Sequence, residues 1–285
     1  MKWTDERSDN VEDRRGMGSG GGKLVGGGLG TLIIAAIVFF LGGDPSSILS
    51  SQMGNSGAPT EQRQLSENEL QVKEFVRMIA GEDENTWNKI LSENGMRFSP
   101  AKVIMFENAT QSGCGPAQSD MGPFYCPADQ SIYVDMSFFN ELQQRFGAQV
   151  TEFTIAYVIG HEYGHHIQTL LGTTQKVDQL RRSGQYSEAE MNRVSVATEL
   201  QADFYAGVWA RQTDNRAKIL EPGDIDSAIS AAEAVGDDNI QRRAQGYVNQ
   251  ESFTHGSSAQ RKEWFMKGYN TGDIRQGDTF NALLK

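Results

Sequence analysis

The sequence predicts an α+β fold, mostly helical with a small β-sheet, preceded by one N-terminal transmembrane helix. Three observations predict it. Apolar residues recur at three- and four-residue spacing through several long segments, the pattern of helices with one buried face. Two short runs, 102–106 and 131–134, are rich in β-formers and read as strands. Residues 24–43 are a run of twenty without a charge, long enough to cross a bilayer as a helix.

Residues 1–23 mix both charge signs and then turn glycine-rich, which reads as a disordered tail. Arg14, Arg15 and Lys23 precede the apolar run, whereas no Lys or Arg follows it until Arg63. The positive-inside rule then places the tail in the cytoplasm. Everything after Asp44 falls on the far, periplasmic side of the cytoplasmic membrane, in a single pass. A cleaved signal peptide is the competing reading. Its leading region would be unusually acidic, and no small-x-small site follows Leu41. Residues 44–65 are rich in Ser, Gly, Gln and Asn and read as a flexible stalk. Residues 66–285 are then one folded domain.

Within that domain, Leu70, Phe75, Val76 and Ile79 mark a first helix and residues 84–91 a second. The two strands follow, then a helix over 136–146. Helices are also expected over 151–171 and around 194–208, joined by a charged linker at 175–187. A helical pair at 224–235 and 238–248 and a last helix at 257–269 complete the chain.

The helix at 151–171 carries His161-Glu162-Tyr163-Gly164-His165. Positions i and i+4 share one helix face, so both imidazoles can address one metal ion. Glu162 stands beside the first of them, within reach of a water on that metal. This is the H-E-x-x-H arrangement of zinc hydrolases. Phe153, Tyr157, Gly160, Gly164, Ile167 and Leu171 run through it as an apolar and small-residue stripe. Three of the chain's four histidines fall between positions 161 and 166. Gly164 costs about 1 kcal/mol of helix stability relative to Ala. That cost makes sense where another backbone or a substrate packs close. His166 lies about 100° around the helix from His165 and reads as a packing residue. Tyr163 falls between the ligand positions and is assigned no chemistry.

A catalytic zinc takes three protein ligands and keeps one open position. In the later helix, Val196, Leu200, Phe204 and Val208 form an apolar face, with Glu199 and Asp203 just behind it. Buried carboxylates need a partner or a metal. Glu199 therefore reads as the third ligand, and Asp203 as the group that orients a ligand histidine. The alternative is two solvated acids on an amphipathic helix.

The pair H-E-Y-G-H-H and E-L-Q-A-D resembles the glutamate-zincins. More closely, the chain resembles the bacterial putative neutral zinc metallopeptidase family. The segments that carry this are 112–115 (S-G-C-G), 122–127 (G-P-F-Y-C-P), 132–135 (I-Y-V-D), 156–160 leading into the zinc motif, and 255–258 (H-G-S-S) with Arg261. The resemblance spans nearly the whole chain. It implies a zincin-like fold, with the small sheet over the zinc-motif helix and one edge strand open to an extended substrate. Strand 131–135 is expected beside the cleft. It also implies one zinc ion on His161, His165 and Glu199, Glu162 as general base and Asp203 in support. Gly160 stands where alanine is expected.

His255 precedes a turn that starts the last helix, and it is placed to stabilise a developing oxyanion. Its alternative is a capping or surface histidine. Arg261 can orient His255, Glu199 or Asp203. Cys114 and Cys126 lie in a Gly-, Pro- and Ser-rich loop beyond the apolar run. In an oxidising compartment they would pair, adding about 2–3 kcal/mol; the alternative is two reduced thiols. The formal net charge is −11 and no basic cluster is interleaved with aromatics, which excludes nucleic acid as an expected partner.

The expected activity is a membrane-anchored zinc endopeptidase acting on peptide or protein substrates. Two alternatives stand beside it. One is a non-catalytic envelope module with a structural zinc. The other is a zinc amidase acting on cell-wall peptides.

Overall fold

A computed structural model of the chain describes residues 1–16 and 63–284. Helix α1 (Glu67–Glu93) starts at a capping box between Ser66 and Glu69 and ends at Asn94. It is one helix of 27 residues where the sequence suggested two. The Gly81-Glu82-Asp83 stretch that looks like a break is buried inside it. Packing carries the helix through. A Cβ at Gly81 would lie 3.2 Å from the backbone of Arg7 and Ser8, which cross it there.

The sheet is built from β1 (Val11–Asp13), β2 (Lys102–Phe106), β5 (Phe124–Cys126) and β6 (Ser131–Asp135), in the order β1-β2-β6-β5. The first three in that order run parallel, and β5 pairs antiparallel with β6. Strands β3 (Ala109–Ser112) and β4 (Gly115–Gln118) form a separate hairpin. Cys114 at its turn is disulfide-bonded to Cys126 of β5. All five residues of β6 are buried, because it lies between two neighbours. Among the described residues, the strand at the sheet edge beside the later helices is β5, not the 131–135 strand expected there. Its three residues are too few to show a period-2 pattern.

Helix α2 (Ser137–Gln144) leads to α3 (Glu152–Leu170), which Thr151 caps. The expected linker is mostly a helix, α4 (Thr173–Ser183), closed by Gly184 in the left-handed conformation. Helix α5 (Glu188–Ala217) opens on a capping box, Ser187 with Glu190. Helices α6 (Asp224–Ala234), α7 (Asp237–Gln245), α8 (Ser258–Thr271) and the short α9 (Thr279–Leu283) follow.

Helix α5 is the spine. Glycines at 207 and 268 let α5 and α8 touch backbone to backbone, since a Cβ at either would collide with the other helix. On its other side α5 meets α3 at Gly164, where a Cβ would sit 2.8 Å from the Ala202 carbonyl oxygen. The Trp209 ring lies over Gly160, with a Cβ there 3.2 Å from it. The indole fills the space an alanine methyl would share.

Residues 1–16 correct an expectation. They are not a disordered tail. Strand β1 pairs with β2 in register Val11↔Val103 to Asp13↔Met105. Ser8 and Arg15 are buried, Thr4 and Ser8 donate to Glu82 and Glu84, and Arg15 pairs with Asp13. A strand of three residues with two acids carries no hydrophobic signal; pairing with β2 is what orders it. The expected transmembrane segment 24–43, and most of the stalk, lie outside the described residues. Among the described residues no helix is long and apolar enough to cross a membrane.

Candidate active site

The α3–α5 crossing builds the site. Gly164 sits between His161 and His165, and Ala202 between Glu199 and Asp203. Close backbone approach at that pair brings the short acids of α5 up to the imidazoles of α3. His161 Nε2 lies 3.3 Å from one Glu199 oxygen and His165 Nε2 lies 3.5 Å from the other. The two rings stand perpendicular, with centroids 4.9 Å apart. One ligand atom from each of the three side chains falls within 4.8 Å of the others.

Both outer nitrogens are engaged. His161 Nδ1 bonds Asp203 Oδ1 at 2.8 Å, and His165 Nδ1 bonds Gln168 Oε1 at 2.9 Å. Each acceptor oxygen takes its hydrogen bond from Nδ1, so Nε2 is the nitrogen turned toward Glu199 on both rings. Two such nitrogens and a carboxylate are the donor set zinc takes with a position left open. These residues therefore fit a zinc ion.

Asp203 is fully buried. It accepts from Tyr157 Oη at 2.6 Å and from Arg261 Nε and Nη2 at 2.7 and 2.9 Å, besides His161. Burial alone would raise its pKa; Arg261 and His161 outweigh that and hold it at about 2. Burial likewise disfavours charge on His161, but Asp203 and Glu199 raise its pKa to about 10. Glu199 is held well below the usual carboxylate range by His165 and His161, against its own burial. Glu162 behaves oppositely: burial raises its pKa despite both histidines. A carboxyl so tuned is a better proton acceptor than one in water.

Arg261 is thereby placed on Asp203, one of its three possible partners. His255 lies outside the group of His161, His165 and Glu199, with its side chain 52% exposed. Asp237 holds its loop. One Asp237 oxygen accepts the backbone N–H groups of Thr254, His255 and Gly256 at 2.6–2.9 Å. The other lies 3.2 Å from His255 Nδ1. Partial desolvation by the groups around it lowers the His255 pKa, and Asp237 and Glu199 outweigh this and raise it. His166 turns away from the site: its ring bonds the Ser99 carbonyl at 2.7 Å and Tyr125 Oη at 3.1 Å. It locks α3 to β5.

Three residues were not assigned to the site from the sequence, Tyr157 having been read only as part of the apolar stripe. Tyr157 and Gln168 carry a helical signal, four before His161 and three after His165, on the ligands' own face. Asp237 carries none, because it reaches His255 across a chain reversal.

The chain belongs to the family described as "Putative neutral zinc metallopeptidase", whose model matches residues 1–280. It is 41% identical over 295 residues to "Uncharacterized protein YpfJ" of Escherichia coli K12, with 100% of both chains covered. It is 39% identical over 254 residues to "Uncharacterized protein Rv2575" of Mycobacterium tuberculosis H37Rv, covering 85% of this chain and 84% of that one. No solved structure matches it.

Proposed function

We propose that the protein is a zinc-dependent endopeptidase. The observation that carries this is the meeting of His161, His165 and Glu199 within 4.8 Å, with Glu162 in the same turn of α3. When bound, zinc would polarise a water and the scissile carbonyl. Glu162 takes the water's proton and passes it to the leaving amine. His255, steadied by Asp237, donates to the oxygen that gains charge. Asp203, with Tyr157 and Arg261 bound to it, keeps His161 in the tautomer that can ligate. Strand β5, at the edge of the sheet among the described residues, offers that edge to an extended peptide, the usual route by which a strand edge binds one. In this reading the arrangement of sheet and helix is zincin-like.

Because residues 1–16 pack on the domain and Val11–Asp13 pairs in its sheet, the test uses the full chain. Zinc content and cleavage of unfolded casein are measured for wild type and Glu162→Gln. One zinc in both, with chelator-sensitive cleavage only in wild type, is the expected result. Equal cleavage by both would overturn the role of Glu162. No zinc in either would overturn the ligand set. Zinc in both without cleavage of casein or of wall fragments would favour a non-catalytic module, and cleavage of wall fragments alone an amidase.

The apolar run at 24–43 supports association with the cytoplasmic membrane. The Cys114–Cys126 bridge supports an oxidising, extracytoplasmic compartment for the catalytic domain.

A further inference from the structure

We propose that Gln168 and Gln201 are positioning residues for the metal ligand His165, and that they tie it to the C-terminal segment. The inference rests on the metal-site reading above. Gln168 Nε2 donates to the Thr198 carbonyl at 2.7 Å and faces Gln201 Oε1 at 3.2 Å. Gln201 Nε2 donates to the Gly277 carbonyl at 2.8 Å. Both side chains are buried. A backbone carbonyl can only accept, so each carbonyl fixes which end of its amide is nitrogen. The orientation then propagates inward. Gly277 sets Gln201, Thr198 and Gln201 set Gln168, and the Gln168 oxygen is left to face His165 Nδ1. The proton of a neutral His165 is thereby held on Nδ1, and Nε2 is free to ligate. Thr279 Oγ1, donating to the Ala197 carbonyl at 2.6 Å, anchors the same segment to α5. The two ligand histidines thus have unlike supports: a buried carboxylate for His161 and a chain of neutral amides for His165.

The test measures zinc affinity by chelator competition for wild type, Gln168→Met and Gln201→Met, with thermal unfolding as a fold control. Gln168→Met should bind zinc about 10- to 100-fold more weakly. Gln201→Met, one link removed, should show a smaller loss in the same direction. Wild-type affinity in a folded Gln168→Met would overturn the proposal. Nitrogen-15 spectra of the zinc-free wild type read the tautomer without any variant. A neutral His165 protonated on Nε2 would overturn the proposal as well. If wild type binds no zinc, the functional reading fails, while the tautomer still tests the amide chain.

A different observation carries a second inference. The geometry points to residues 1–16 and the catalytic domain lying on the same side of any membrane the chain enters. The Arg63 N–H donates to the Gly16 carbonyl at 3.0 Å, so the chain leaves the domain and returns to it at one point. Between the two lies the apolar run 24–43. With β1 paired in its own sheet, crossings between Gly16 and Arg63 must be even in number. A single pass would pull β1 out, open the β2 edge, and strand the polar partners of Thr4 and Ser8 at Glu82 and Glu84. Single cysteines replace Asp9 or Lys89 in the full chain, whose side chains are 98% and 61% exposed. Sealed vesicles are labelled with a membrane-impermeant maleimide, and permeabilised vesicles show that both sites react. Labelling of both from the same side is expected. Labelling from opposite sides would overturn the inference.

Discussion

His255 shows how much one residue depends on its loop. Its backbone and ring are both held by Asp237. His255→Ala should lower kcat by about 10²–10³-fold, the scale for losing one oxyanion donor, with zinc content unchanged. Asp237→Asn can still accept the backbone N–H groups but weakens the hold on the ring. It should give a smaller fall in kcat, again at full zinc content. A loss of zinc in either variant would move His255 from substrate to metal. At this scale the sequence was legible wherever helical spacing applies. His161 and His165 follow from i,i+4, and Glu199 from an acid on the core side of an apolar face. Asp237 was not legible, since 18 residues and a turn separate it from His255.

At the element scale, the α3–α5 crossing decides the site. Gly164→Ala places a methyl 2.8 Å from the Ala202 carbonyl, and backbone must move to admit it. The helices should separate, lengthening the path from Asp203 to His161. The expected outcome is weaker zinc binding in competition assays, beyond the small helix gain of Ala over Gly. Helix α1 offers a separate pH test. Asp83 is fully buried, and neither of its oxygens has a hydrogen-bond partner among the described residues. Burial, with Glu84 adding to it, raises its pKa well above the ordinary 3.8. The folded state therefore keeps a proton that the unfolded chain releases. Stability from this group is fully present below pH 3.8 and is lost as pH rises toward the folded value. Asp83→Asn should raise the unfolding temperature at pH 7 and leave it little changed near pH 3. An equal effect at both would refute this.

At the scale of the whole molecule, the Cys114–Cys126 bond ties the β3–β4 hairpin to the open strand β5. Replacing both cysteines with serine should cost about 2–3 kcal/mol of stability and leave zinc content intact, read by thermal melts and metal analysis. A loss of zinc would mean the hairpin supports α3 as well as β5.

The sequence by itself determined that His161, His165 and Glu199 are the candidate metal ligands with Glu162 beside them, and the mixed, mostly helical class. Each rests on local periodicity or on chemistry confined to a few positions. Only the tertiary structure decided that α1 is one helix, that β5 and not β6 is the edge strand among the described residues, that residues 1–16 join the domain through β1, and that Asp237 and Gln168 bond the histidines. These depend on hydrogen bonds and close packing between segments far apart in the chain. A three-residue strand or a buried amide gains its partner only when the fold brings that partner to it.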